Sequence, residues 1–169
     1  IAVQLKRVDT EDFVSYSENV IKNAKKLANE LIRRCFSVFG GGTDTHLFLW
    51  NCKKSGLSGN VLEKYYEKVG IFVSRNKIPG DKDESSVSGL RVGLAALTTR
   101  GMTERDIVVL ADFLEEGFYN AKILAMEIGE NELMDILKNG QINNIDAKFD
   151  SLNERVKTFA NKFNAPGIL

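Results

Sequence analysis

Gly89-Leu90-Arg91-Val92-Gly93 is the stretch of this sequence whose residue types best suit a ligand. Strand alternation puts Leu90 and Val92 on one side and Arg91 on the other, and the glycines at i±2 leave the Arg91 side uncluttered. A guanidinium is a planar fork that makes two parallel charge-assisted hydrogen bonds to a carboxylate, which a lysine point charge cannot reproduce. From the residues alone, Arg91 is either such an anion grip or a structural ion-pair residue. Directly upstream, Ser74 to Ser88 is a largely polar run of fifteen residues with Pro79, Gly80 and Asp81-Lys82-Asp83-Glu84. A connection of that length without structure of its own is either functional or disordered.

Other reactive residues carry less. His46, the single histidine, heads an apolar run and has no acid placed beside it, so it reads as a hydrogen-bonded core or rim residue. With Cys35 and Cys52 it cannot assemble a tetrahedral metal site, and both thiols read as reduced core or edge residues. Asp81, Asp83 and Glu84 lack the twelve-residue pattern of a calcium loop with its closing Glu and read as a solvated acidic face. Ser85-Ser86 has no strand-turn-helix elbow, and Gly40-Gly41-Gly42-Thr43 lacks the Gly-Lys-Ser/Thr ending of a phosphate loop. The 23 basic and 23 acidic residues cancel, which removes the net field that draws a protein onto nucleic acid or an anionic membrane. Apolar runs of about five residues fall far short of the ~20 that span a bilayer.

The elements that must position these residues follow from periodicity. Asp9 or Thr10 caps a helix of about 9–34 whose stripe is Phe13, Val20, Ala24, Leu27, Ala28 and Leu31. Cys35–Phe39 and His46–Trp50 read as strands turning at the glycine triplet. Val61, Leu62, Tyr65, Tyr66 and Val69 mark a short helix ended by Gly70, with Ile71-Phe72-Val73 as the next strand. Thr103 caps a helix to about Ile128, Asn131–Lys138 is a short helix ended by Gly140, and Phe149, Leu152, Val156, Phe159, Ala160 and Phe163 mark a last one stopped by Pro166 and Gly167. The pattern predicts one α+β unit over residues 1–169, a small, mainly antiparallel sheet of three or four strands packed against long helices. Ile1-Ala2-Val3-Gln4-Leu5-Lys6 reads as the end of a helix already under way, and therefore as part of a longer protein.

Four ordered blocks carry a family resemblance: Gly41-Gly42-Thr43-Asp44-Thr45-His46-Leu47, Asn76-Lys77-Ile78-Pro79-Gly80-Asp81, Ser88-Gly89-Leu90-Arg91-Val92-Gly93 and Ala96-Leu97-Thr98-Thr99-Arg100-Gly101. In order and spacing they resemble the carboxy-terminal part of serine hydroxymethyltransferase. The opening six residues also look like that family, so the likeness runs from residue 1 to about 118, and beyond it only a helical tail matches. The chain departs from the family at Thr45, where Asn is usual, and at Ser74-Arg75-Asn76, where the family is richer in Asn.

The resemblance implies the carboxy-terminal domain of a pyridoxal-phosphate enzyme of the aspartate-aminotransferase fold type. That enzyme interconverts serine plus tetrahydrofolate with glycine plus methylenetetrahydrofolate. It implies Arg91 as the holder of the substrate α-carboxylate and Asn76 as a contact to the folate pterin. The family's Schiff-base lysine would lie before Ile1, so no catalytic residue is expected in this chain and the chain alone is expected to be inactive. The expected partners are a large cofactor-binding domain and further subunits in a homodimer or homotetramer, with no nucleic acid and no membrane. Cytoplasm or mitochondrion is the expected compartment. A binding or interaction module that kept the domain and lost catalysis is the alternative these residues leave open.

Overall fold

The computed structural model describes residues 1–82, 87–140 and 147–165. After a short helix α1 (Ala2–Val8), helix α2 (Glu11–Arg33) starts where Thr10, in extended conformation, accepts a hydrogen bond from the Phe13 amide, with Glu11 and Asp12 at its positive end. Val20, Ala24, Leu27, Ala28 and Leu31 are buried along one stripe, as their spacing predicts. Phe13 is not: the first turns of α2 run past the core, and its ring lies against Tyr16 near the surface. The helix ends in a Schellman motif, with Cys35 N–H donating to Ile32 C=O and Phe36 N–H to Leu31 C=O, both 2.9 Å.

That cap uses the residues expected to begin a strand. Strand β1 is only Ser37–Val38, and Phe39–Gly41 form a tight turn in which Gly40 and Gly41 have φ near +70°. Strand β2 (Leu47–Asn51) follows, then α3 (Gly59–Val69), β3 (Ser74–Asn76) and β4 (Gly89–Gly93). The sheet is antiparallel throughout, in the order β1-β2-β4-β3. Helices α4 (Ala95–Thr99), α5 (Glu104–Ile128), α6 (Glu130–Asn139) and α7 (Ala147–Ala160) complete the described residues. The observed class is the α+β arrangement expected.

The expected strand at Ile71–Val73 is absent. Gly70 takes a left-handed conformation and Ile71 donates its N–H to Tyr66 C=O (2.8 Å), so Ile71 closes the α3 cap instead of joining a ladder. The edge strand therefore begins three residues later, at Ser74, inside the run expected to be a loop. Helix α4 was not foreseen, and it is held to α2 by the buried Asn23 amide, which donates to Thr98 Oγ1 and Met102 C=O, both 2.9 Å. The stop at Pro166 and Gly167 lies outside the described residues.

One face of the sheet presents Val38, Phe48, Trp50, Leu90 and Val92 to the helices. Trp50 and Phe36 meet edge-on at 5.0 Å, Phe118 of α5 joins them, and the buried Tyr66 hydroxyl donates to Leu114 C=O at 2.6 Å. Arg34, nearly buried, ties the end of α2 to α5 through Asp112 and Glu115, both at 2.6 Å.

Candidate functional site

Register decides what the other face of the sheet displays. Leu49, Arg91 and Ser74 are direct cross-strand partners, and Asn51, Gly89 and Asn76 form the adjacent row. Both rows share one side by pleat alternation, and their side chains are half-buried or exposed where the opposite side is core. Asn76 is thus the diagonal neighbour of Arg91, about 7–8 Å away across the ladder.

Arg91 is exposed and has no hydrogen bond or ion pair among the described residues. The structural ion-pair reading of Arg91 therefore finds no partner acid among the described residues. Other arginines show what pairing looks like in this chain: Arg33 bonds Glu30, Arg34 bonds Asp112 and Glu115, Arg75 meets Glu63, and Arg155 meets Glu116, whereas Arg7 and Arg105, on helices, are exposed and unpaired among the described residues like Arg91. Arg100 is used internally too, donating to Ala160 C=O at 2.6 Å and Phe163 C=O at 2.9 Å, where it satisfies carbonyls at the end of α7. Arg91 instead stands on a strand, between two glycines, with its five donors unengaged by any described group.

Asn76 is half-buried and donates Nδ2–H to Lys77 C=O at 2.8 Å. That bond fixes the amide plane and leaves Oδ1 and a second N–H unengaged among the described residues, one acceptor and one donor side by side. The run after Asn76 is held by Asp81, whose side chain is only 1 % exposed. Its carboxylate accepts from Ile78 N (3.1 Å), Ser88 N (2.9 Å) and Ser88 Oγ (2.7 Å). Burial opposes its charge, but these donors and Lys53, 3.7 Å away, outweigh burial and hold its pKa down at about 2. Sequence reasoning grouped Asp81 with Asp83 and Glu84 as a solvated acidic face and missed this role; the Pro79-Gly80 turn just before it was the available signal. Asp83, Glu84 and Ser85-Ser86 lie outside the described residues.

The remaining candidates stay apart from this face or inert. His46 is exposed, and Asp44, the acid nearest it in sequence, is engaged by Lys25 at 2.8 Å. Thr45, in place of the family's usual Asn, turns back on its own loop, donating its hydroxyl to Leu47 C=O at 3.1 Å. Cys52 is fully buried, and burial pushes its thiol up to about 12, so no thiolate is available there near neutrality. No cluster of three or more metal-ligating residues occurs among the described residues, and no described helix is long and apolar enough to cross a membrane. None of the described lysines is buried.

Fold and site together define an α+β unit that presents, among the described residues, an unpaired guanidinium and a neighbouring amide with one donor and one acceptor unengaged on one side of a small antiparallel sheet. The family model for serine hydroxymethyltransferase matches residues 1–114. Relatives include the chloroplastic serine hydroxymethyltransferase 3 of Arabidopsis thaliana, 35% identical over 99% of this chain and 32% of the relative. The mitochondrial serine hydroxymethyltransferase of Candida glabrata is 37% identical over 100% of this chain and 36% of the relative, and the Caenorhabditis elegans enzyme 37% over 99% and 33%. The chain belongs to the serine hydroxymethyltransferase family, and it spans about a third of the length of the curated relatives it matches.

Proposed function

We propose that this chain is the carboxy-terminal domain of a serine hydroxymethyltransferase and that it holds and orients two substrates. Arg91 grips the α-carboxylate of serine or glycine through two parallel hydrogen bonds, and Asn76 meets the pterin edge of tetrahydrofolate with its donor and acceptor. The complete enzyme interconverts serine plus tetrahydrofolate with glycine plus 5,10-methylenetetrahydrofolate. The observation that carries this reading is the Arg91 fork, unpaired among the described residues, one diagonal position from Asn76 on the side of the sheet turned away from the core.

Pyridoxal phosphate, when bound, supplies the electron sink for bond cleavage next to the amino acid's α-carbon. The described residues offer Arg91 for the substrate carboxylate, and the chain spans about a third of the length of its curated relatives. The anchor then belongs to a large domain outside this chain, and the isolated chain is inactive. Exposed Val3, Leu5 and Val8 on α1, with Ile1 before it and Val14 at the start of α2, support a further protein surface there: side chains of that kind are normally covered. Assembly of the whole protein as a homodimer or homotetramer belongs to the same reading.

What Arg91 does is fix direction. A carboxylate held at both oxygens cannot rotate, so the bond to be broken keeps one orientation from bound substrate to transition state. The test is Arg91→Lys in the full-length enzyme. Lys keeps the charge and loses one of two charge-assisted bonds, each contributing roughly 1.5–3 kcal/mol, so kcat/KM for serine falls about ten- to a hundredfold, and Arg91→Ala falls further. Glycine affinity and turnover both at wild-type level in Arg91→Lys would return Arg91 to a structural role.

A further inference from the structure

We infer that Asp81 is the positioning residue of this site: its buried carboxylate ties together the two chain segments that flank Asn76 and Gly89, and thereby sets where the Asn76 amide stands relative to Arg91. The inference rests on the proposed roles of those two residues and adds the device that holds them in register.

The geometry makes the case step by step. Ile78, whose N–H reaches Asp81 Oδ2, lies two residues after Asn76. Ser88, which gives Asp81 both its N–H and its hydroxyl, is the residue before Gly89, the register partner of Asn76. One carboxylate therefore closes a ring that starts and ends at a single rung of the ladder. Strand β3 is three residues long and pairs on one side only, so the ladder alone holds it weakly. Ser88 is itself pinned from the far side, since its C=O accepts from Cys52 N at 2.9 Å, and the adjacent Val87 C=O accepts from Gly59 N at 2.8 Å. Asp81 transfers that fixed position to Ile78 and so to Asn76. The carboxylate is shielded and held charged by its donors, which suits a permanent tether and not a proton carrier.

The test uses Asp81→Asn and Ser88→Ala in the full-length enzyme, with Asn76→Ala measured beside them. Asn keeps the size of the side chain but replaces one accepting oxygen by an NH2 that faces other donors. Misplacing a binding group by a fraction of an ångström is enough for a change of about tenfold, so Asp81→Asn should raise the tetrahydrofolate KM about tenfold and the serine KM much less. Ser88→Ala should shift the same ratio in the same direction by a smaller factor, and it carries the test if Asp81→Asn fails to fold. Parallel rises in both KM values with a lower melting temperature, or no change in the ratio for either variant, would overturn the positioning role. An Asn76→Ala enzyme with an unchanged folate KM would overturn the folate reading beneath it. A large Asn76→Ala effect beside silent Asp81 and Ser88 variants would reject the tether alone.

Discussion

Gly89→Ala tests whether the rung shared by Asn76 and Gly89 is as close-fitting as the structure requires. Gly89 has no left-handed backbone to protect, so the only cost of a methyl group is space. A Cβ there would stand 2.5 Å from Ile78 Cγ2 and 2.6 Å from the Asn76 carbonyl oxygen. The first contact could be relieved by turning a side chain, but Ile78 is buried and has little room to turn. The second is with backbone, and relieving it means moving β3 away from β4. Overpacking of this kind costs about 1–3 kcal/mol, and a backbone clash places Gly89→Ala in the upper half, about 2–3 kcal/mol. For a chain of this size that lowers Tm by about 4–12 °C. Gly93→Ala on the same strand is the internal control, because its Cβ would meet nothing nearer than Leu47 Cβ at 4.0 Å, and it should change stability by no more than about 0.5 kcal/mol. Urea unfolding followed by tryptophan fluorescence reads both, since Trp50 is buried in the core. Equal stabilities for the two variants would refute the close approach of Ile78 and Asn76 to Gly89, and with it the tight rung on which the site's register depends.

Two further outcomes follow from backbone and charge. Cys35 occupies the C′ position of the Schellman motif at φ 65°, where glycine is the usual residue, so Cys35→Gly should stabilise the protein by about 0.5–1 kcal/mol; an unchanged or lower urea midpoint would contradict this. Asp81 has a folded pKa of about 2 against an ordinary value of 3.8, so its contribution to stability is complete above about pH 4 and is lost as pH falls through about 2. The stability difference between the parent chain and Asp81→Asn should therefore shrink between pH 5 and pH 2; a difference constant over that range would show that Asp81 is not the charged tether.

Where a segment's own spacing determines its partner, the sequence is readable. Phe13 apart, the stripes of α2 and α3 fall on the buried faces expected, because a helix that buries one side must repeat its apolar residues near 3.6, and the caps at Thr10 and Gly70 mark ends of these helices. Arg91 facing away from the core followed from alternation alone. What period could not reveal was competition for the same residues. Ile71-Phe72-Val73 has the composition of a strand, yet the α3 cap claims the Ile71 amide first, and Ser74-Arg75-Asn76, with no apolar residue, takes the ladder instead. Helix α4 depends on a buried amide 75 residues earlier in the chain, Asn23 to Thr98, and local propensity carries no record of such a bond. That Arg91 has no partner among the described residues is likewise a statement about acids far from it in the chain, which no local spacing records.

The same reasoning explains how a three-residue edge strand can carry a binding residue. An edge strand leaves N–H groups without partners, and such edges slip or recruit foreign strands unless they are blocked. Here Arg75, whose side chain points away from the Arg91 face, gives its outward N–H to Glu63 Oε1 of α3 at 3.0 Å, while its guanidinium lies 3.7 Å from the other oxygen of the same carboxylate. That contact holds β3 from its free side. Asp81 holds it from the loop, and β4 from within the sheet. Two carboxylates thus replace the missing fifth strand without covering the face that Asn76 and Arg91 share. A further strand in that place would stabilise the sheet as well, but it would extend the platform beside Asn76 and crowd the space the proposed pterin contact requires. Side-chain tethers order the edge and leave it open, which is the condition the proposed two-substrate face has to meet.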